Sequence, residues 1–62
     1  MTAAEAINIL LAQGYTKYKV GKSVNVSPTS IAQYLNGTKP TQAIADRFKE
    51  VHGLEITEIH VR

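Results

Sequence analysis

Helix starts and helix stops alternate along this chain, and the punctuation leaves room for short helices only. Thr2-Ala3-Ala4-Glu5 is a capping box, in which the hydroxyl caps the first turn and Glu5 reaches back to the cap amide. Gly14 stops that helix as a left-handed residue just past its end. Thr16 caps a second helix, and Asn25 follows it where the chain must turn sharply; asparagine is the best non-glycine residue for left-handed backbone. Ser27 and Pro28 are favoured as the cap and first position of a third helix, which Asn36-Gly37 ends. A fourth starts near Pro40-Thr41 and closes at Gly53. The expected fold class is therefore all-α, a compact bundle of four to five short helices.

The apolar residues recur at helical spacing and indicate which faces turn inward. Ala6, Ile7, Leu10 and Leu11 form one stripe on the first helix. On the second, Val20 and Val24 face inward beside Gly21, while Lys17, Lys19, Lys22 and Ser23 stay more exposed. A glycine inside a helix costs about 1 kcal/mol relative to alanine, so Gly21 predicts a close backbone approach. Val26 plugs the turn into the core. At about 100° per residue, Ile31, Tyr34 and Leu35 share one face of the third helix. Thr29, Gln33 and Asn36 lie opposite, with Ser30 and Ala32 on the flanks. On the fourth helix Ile44, Ala45, Phe48 and Val51 face the core, and Asp46, Arg47, Lys49 and Glu50 face water. The tail from Leu54 to Val61 reads two ways. Ile56 and Ile59 fit a short fifth helix, whereas Leu54 with Ile56 and Ile59 with Val61 fit a β-strand. The helix is the expectation, because a strand has no partner within the chain; the strand stays open as the alternative.

A chain of 62 residues reads as one domain, 1–62. Such a domain buries only about 60% of its unfolded surface, so helix packing or oligomerisation must supply its stability. With no cysteine, disulfides and Cys-based zinc sites are excluded. His52 and His60 have no supporting ligand cluster, so neither metal nor cofactor is expected. The apolar run Ile9-Leu10-Leu11-Ala12 is too short for a membrane span. Asp46, Glu50 and His52 form no pocket in so small a helical domain and no nucleophile–base pair is evident, so the chain does not read as an enzyme.

Charge is distributed very unevenly. Residues 16–39 carry Lys17, Lys19, Lys22 and Lys39 with no acidic residue, a local charge of +4. Elsewhere Arg47, Lys49 and Arg62 stand against Glu5, Asp46, Glu50, Glu55 and Glu58, a balance of −2. A cationic helical hairpin on a small domain points to a polyanionic partner, with double-stranded DNA the first candidate.

The same hairpin resembles the helix-turn-helix of the lambda-repressor-like family, in particular the small phage Cro proteins and phage repressor N-terminal domains. Val20-Gly21 match the apolar residue and the following Ala, occasionally Gly, in the middle of that family's first motif helix. Asn25 stands where the family has glycine in the turn, Val26 supplies the apolar residue after it, and Ile31 and Tyr34 the apolar positions of the second motif helix. Ser27-x-x-Ser30-Ile31, Asn36-Gly37 and Gly53-Leu54-x-Ile56-x-Glu58-Ile59 extend the likeness over nearly the whole chain. The resemblance implies a transcriptional repressor acting on DNA in the cytoplasm of a bacterial host. Its third helix would lie in the major groove with Pro28, Thr29, Ser30 and Gln33 at base edges. Thr16, Lys17, Tyr18, Ser27, Asn36, Thr38 and Lys39 would meet phosphates. Regulators of this kind pair across a two-fold axis, and Leu54, Ile56, Ile59 and Val61 are the expected dimer surface. The resemblance calls for no small-molecule ligand and no membrane. An antitoxin-type regulator, whose main partner is a protein, is the alternative.

Overall fold

The computed structural model describes residues 1–60, which form four helices. They are α1 (Ala3–Ala12), α2 (Lys17–Ser23), α3 (Pro28–Leu35) and α4 (Gln42–His52). The first three starts use the caps that the sequence marks. Glu5 N donates to Thr2 Oγ1 at 3.1 Å and Thr2 N to Glu5 Oε1 at 2.9 Å, so the capping box closes reciprocally. Its first-turn hydrogen bond to the Thr2 amide also holds the Glu5 carboxyl below the usual carboxylate range. Thr16 accepts from Lys19 N at 3.1 Å and Ser27 from Ser30 N at 3.2 Å. Thr41 sits at the cap position of α4 in extended backbone but makes no side-chain cap bond.

The first three helices end alike. In each, the residue just past the cap turns left-handed and the next amide folds back over the last turn: Tyr15 N to Leu10 O at 3.1 Å, Val26 N to Gly21 O at 2.7 Å, Thr38 N to Gln33 O at 3.0 Å. Gly14 and Gly37 occupy the left-handed position after α1 and α3, and Asn25, at φ 59°, occupies it after α2. That one turn sets the angle between α2 and α3. It also explains Gly21. A Cβ there would collide with the carbonyl oxygen of Val26 and press on the Ile31 side chain, so any larger residue would force this turn to shift away from α2.

The core runs through all four helices and the tail. Ala6, Ile7 and Leu10 from α1, Val20 and Val24 from α2, Ile31 and Tyr34 from α3, Ala45 and Phe48 from α4, and Ile56 are buried. Leu11, Val26, Leu35, Ile44, Leu54 and Ile59 pack around them, partly buried. Val51 departs from its expected inward place and is 53% exposed. His52 turns inward instead, four residues past Phe48, where it is half-buried. Its ring meets Tyr15 edge-on, centroids 5.4 Å apart, and lies tilted against Phe48 at 6.1 Å.

The expected fifth helix does not form, nor does the alternative strand: residues 53–60 have no regular secondary structure. Hydrogen bonds to distant parts of the chain hold the tail instead, among them Met1 N donating to Glu55 O at 3.3 Å and to Thr57 Oγ1 at 3.2 Å. Thr57 N donates to Met1 O at 2.9 Å and His60 N to Pro40 O at 2.7 Å. Gly53 ends α4 in left-handed backbone. The few residues beyond it, with β-branched Ile56, Thr57 and Ile59, cannot repay the cost of nucleating a new helix. Among the described residues no helix is long and apolar enough to cross a membrane.

Candidate nucleic-acid interface

Burial splits α3 lengthwise. Ile31 and Tyr34 are buried and Leu35 half-buried, which fixes the helix against α1 and α2. Pro28, Thr29, Gln33 and Asn36 are exposed on the other side. Ser30 is half-buried and tied into the cap, because Ser27 Oγ donates to Ser30 Oγ at 3.1 Å. The structure thus brings Thr29 and Gln33 together on one open face beside Pro28, and leaves Ser30 at its margin. No described residue bonds the Gln33 amide group, which keeps both its donor and its acceptor free for a base edge.

α2 flanks this face. Lys17, Lys19 and Lys22 are exposed, and Tyr18 is 59% exposed. Lys22 folds back along the helix: its Nζ lies 5.6 Å from the centre of the Tyr18 ring and donates to Tyr18 Oη at 3.5 Å. Tyr18 and Lys22 therefore present one hydroxyl and one ammonium at neighbouring points on the surface, a pair of donors for phosphate oxygens. Beyond α3, Asn36 caps the helix and Thr38 is exposed. Lys39 Nζ sits 3.7 Å from Glu58 Oε2, with both side chains more than half exposed. An exposed pair of this kind contributes about 0–1 kcal/mol, so a phosphate can replace the carboxylate at small cost.

Two contacts lock the turn of the hairpin to α4, and neither was marked in the sequence. Arg47 Nη1 donates to Val24 O at 3.5 Å, the carbonyl at the end of α2. His52 Nε2 lies 2.8 Å from Ser23 Oγ. Ser23 Oγ donates to Val20 O at 2.7 Å, so it accepts from His52, which places the ring proton on Nε2. Burial pushes the His52 imidazole below its ordinary value, which favours the neutral ring. The spacing from Ala45 and Phe48 to His52 carried the signal for this contact, while Val51, one residue earlier and apolar, drew attention away from it.

On the expected dimer surface, the Ile56 side chain is 6% exposed and directed into the core of its own chain, and Leu54 and Ile59 are half-buried against that core. Val61 lies outside the described residues. Apolar surface left open at the end of α4 and along the tail belongs to Val51, Leu54 and Ile59.

Comparison with known proteins agrees with this layout. The helix-turn-helix family profile matches residues 7–59, from the middle of α1 through the tail. No curated protein and no solved structure matches the chain.

Proposed function

We propose, for a chain that belongs to the helix-turn-helix family, a regulator that recognises a double-stranded DNA sequence with α3 in the major groove. The observation that carries this reading is the split of α3. One side is anchored by Ile31 and Tyr34, and the other is open, uncharged and polar at Thr29 and Gln33 inside a stretch whose every charge is positive. Gln33 pairs in bidentate fashion with adenine N6 and N7, while Pro28 and the Thr29 methyl pack on a thymine methyl. Thr16, Lys17 and Tyr18 hold phosphates on one side of the groove; Asn36, Thr38 and Lys39 hold those on the other. No Arg or Lys stands on the reading face, so A·T-containing steps are favoured over guanine runs. The regulator acts as a Cro-like phage repressor. It pairs across a two-fold axis on a palindromic operator, and Val51, Leu54 and Ile59 contribute the pairing surface.

Selection of bound duplexes from a random library, at near-physiological salt, tests the reading. A recovered palindrome that loses enrichment at particular positions in Gln33→Ala supports it. The substitution should cost about 1–3 kcal/mol on the preferred site and little elsewhere. Absence of any enriched sequence overturns it in favour of a protein partner. Lys17→Ala should weaken binding to all duplexes and lower the salt slope by about 1.

A further inference from the structure

A cleft of about 160 Å³ opens where the first turn of α1 meets the loop between α3 and α4 and the tail. Ala3, Ala4, Tyr34, Thr38, Lys39 and Glu58 line most of it. None of the expected base-reading residues does.

Residues that carry hydrogen-bond donors reach the lining of this cleft from three elements. At the start of α1, the Thr2 amide is taken by Glu5, the Glu5 amide by Thr2 Oγ1 and the Ala6 amide by Thr2 O. The amides of Ala3 and Ala4 have no acceptor among the described residues, and they carry the positive end of a ten-residue helix. Tyr34 comes from α3. It is only 7% exposed, and its hydroxyl makes no hydrogen bond with any described residue. Among the described residues no partnerless side-chain oxygen is sealed from solvent, so the Tyr34 hydroxyl is solvent-accessible, and Tyr34 is one of the residues that line the cleft. Burial also raises the Tyr34 pKa, which keeps the phenol protonated and donating. From the loop comes Lys39, whose ammonium holds the exposed Glu58 carboxylate at 3.7 Å.

A second cleft, of about 110 Å³, shows the contrast. Its charged and polar side chains are already matched to one another, Lys49 to Glu55 at 3.6 Å and Gln42 to Asp46 at 2.8 Å. In the first cleft, among the described residues, Lys39 is the one side-chain donor with an acceptor, and that acceptor is itself an anion at the rim.

We propose that the first cleft binds a small organic anion, with its carboxylate or phosphate head on the Ala3 and Ala4 amides, the Tyr34 hydroxyl and Lys39. Short apolar groups of the ligand pack on Ala3, Pro40 and the Tyr34 ring. Glu58 occupies Lys39 when the site is empty and gives it up when the ligand enters. A helix start of this kind favours anions because its free amides and its dipole act in the same direction.

The test is an amide NMR titration of the full chain with butyrate and, separately, with inorganic phosphate, each at constant ionic strength against sodium chloride. Saturable shifts at Ala3, Ala4 and Thr38 with butyrate are expected. Tyr34→Phe should weaken binding by about tenfold, the order of one hydrogen bond to a charged group. Because that hydroxyl has no protein partner, the same variant should melt no lower than the parent, which separates lost binding from lost fold. Glu58→Gln should tighten binding a few-fold, on the order of a surface ion pair. Lys39→Met, at an exposed position, provides a second loss-of-binding variant. Shifts that stay linear in concentration or match those of chloride overturn the proposal, as does a Tyr34→Phe variant that binds like the parent. Saturation by phosphate with none by butyrate overturns the apolar part of the ligand assignment.

Discussion

The hairpin of α2 and α3 and the segment made of α4 and the tail are built on opposite principles. The hairpin is basic throughout and is shaped by bonds between residues a few positions apart: Thr16 to Lys19, Ser27 to Ser30, Val26 back to Gly21. The α4–tail segment carries Asp46, Glu50, Glu55 and Glu58 and takes its shape from bonds across the molecule. These run from Arg47 to Val24, His52 to Ser23, Thr57 to Met1 and His60 to Pro40. The hairpin presents a surface, while the α4–tail segment holds that surface at a fixed angle. Sequence patterns are informative for the first segment and misleading for the second, since caps and stops encode local bonds but not distant ones.

If α4 and the tail support the hairpin, the hairpin should not stand without them. Phe48 is fully buried, and Phe48→Ala should cost about 3–5 kcal/mol. In so small a domain that is enough to melt the hairpin along with α4, as a cooperative loss of circular-dichroism signal at a much lower denaturant midpoint. If α2 and α3 keep their helicity while α4 unravels, the two segments are independent and the support role is wrong. Next in size is Gly21→Ala. A better helix former would gain about 1 kcal/mol at an open position. Here its Cβ meets the Val26 carbonyl, and overpacking of about 1–3 kcal/mol should dominate, so the net change in chemical denaturation should be destabilising. A stabilised variant would mean that the turn can open without cost.

Asn25→Ala tests the hairpin's other local device. Left-handed backbone costs an alanine about 1–2 kcal/mol, so the melting temperature should drop, with no effect on the tail. Smallest is the pH response of the support. His52 sits below its ordinary value because burial disfavours the charged ring. The unfolded chain therefore binds the proton more readily, and the contribution is present above pH 6.5 and lost as pH falls through the folded value. Stability should decline slightly between about pH 7.5 and about pH 5.5, and His52→Gln should flatten that decline. A parent protein with no slope in this window would show that the Ser23–His52 contact is indifferent to charge.

These contrasts explain how much of the molecule could be read in advance. Every helix start, the left-handed Asn25, the crowding at Gly21 and the open face of Thr29 and Gln33 follow from cap chemistry and helical period, and the structure has each of them. Val51 and the tail depart from their sequence pattern for one reason. Apolar residues at plausible spacings mark burial without stating against what, and at the end of α4 His52 won the inward place through Phe48 on its own helix and through Tyr15 and Ser23, which are remote in sequence. Ile56 is apolar because its own core needs it, a demand indistinguishable in sequence from that of an interface. The Tyr34 hydroxyl was hidden in the same way, since the sequence marks the ring as a core residue and is silent on what its oxygen meets.

The bond between Thr57 and Met1 joins residues 56 positions apart, and this gives the molecule an order in time. Closing so long a loop carries more entropy loss than any contact among α1, α2 and α3, which are consecutive and short-linked. The helices are therefore expected to assemble first, with the tail docking last onto a nearly finished body. Read in reverse, the tail is the first part to release: the Thr57 and His60 amides should exchange with solvent hydrogen well before those of Ile31 or Phe48.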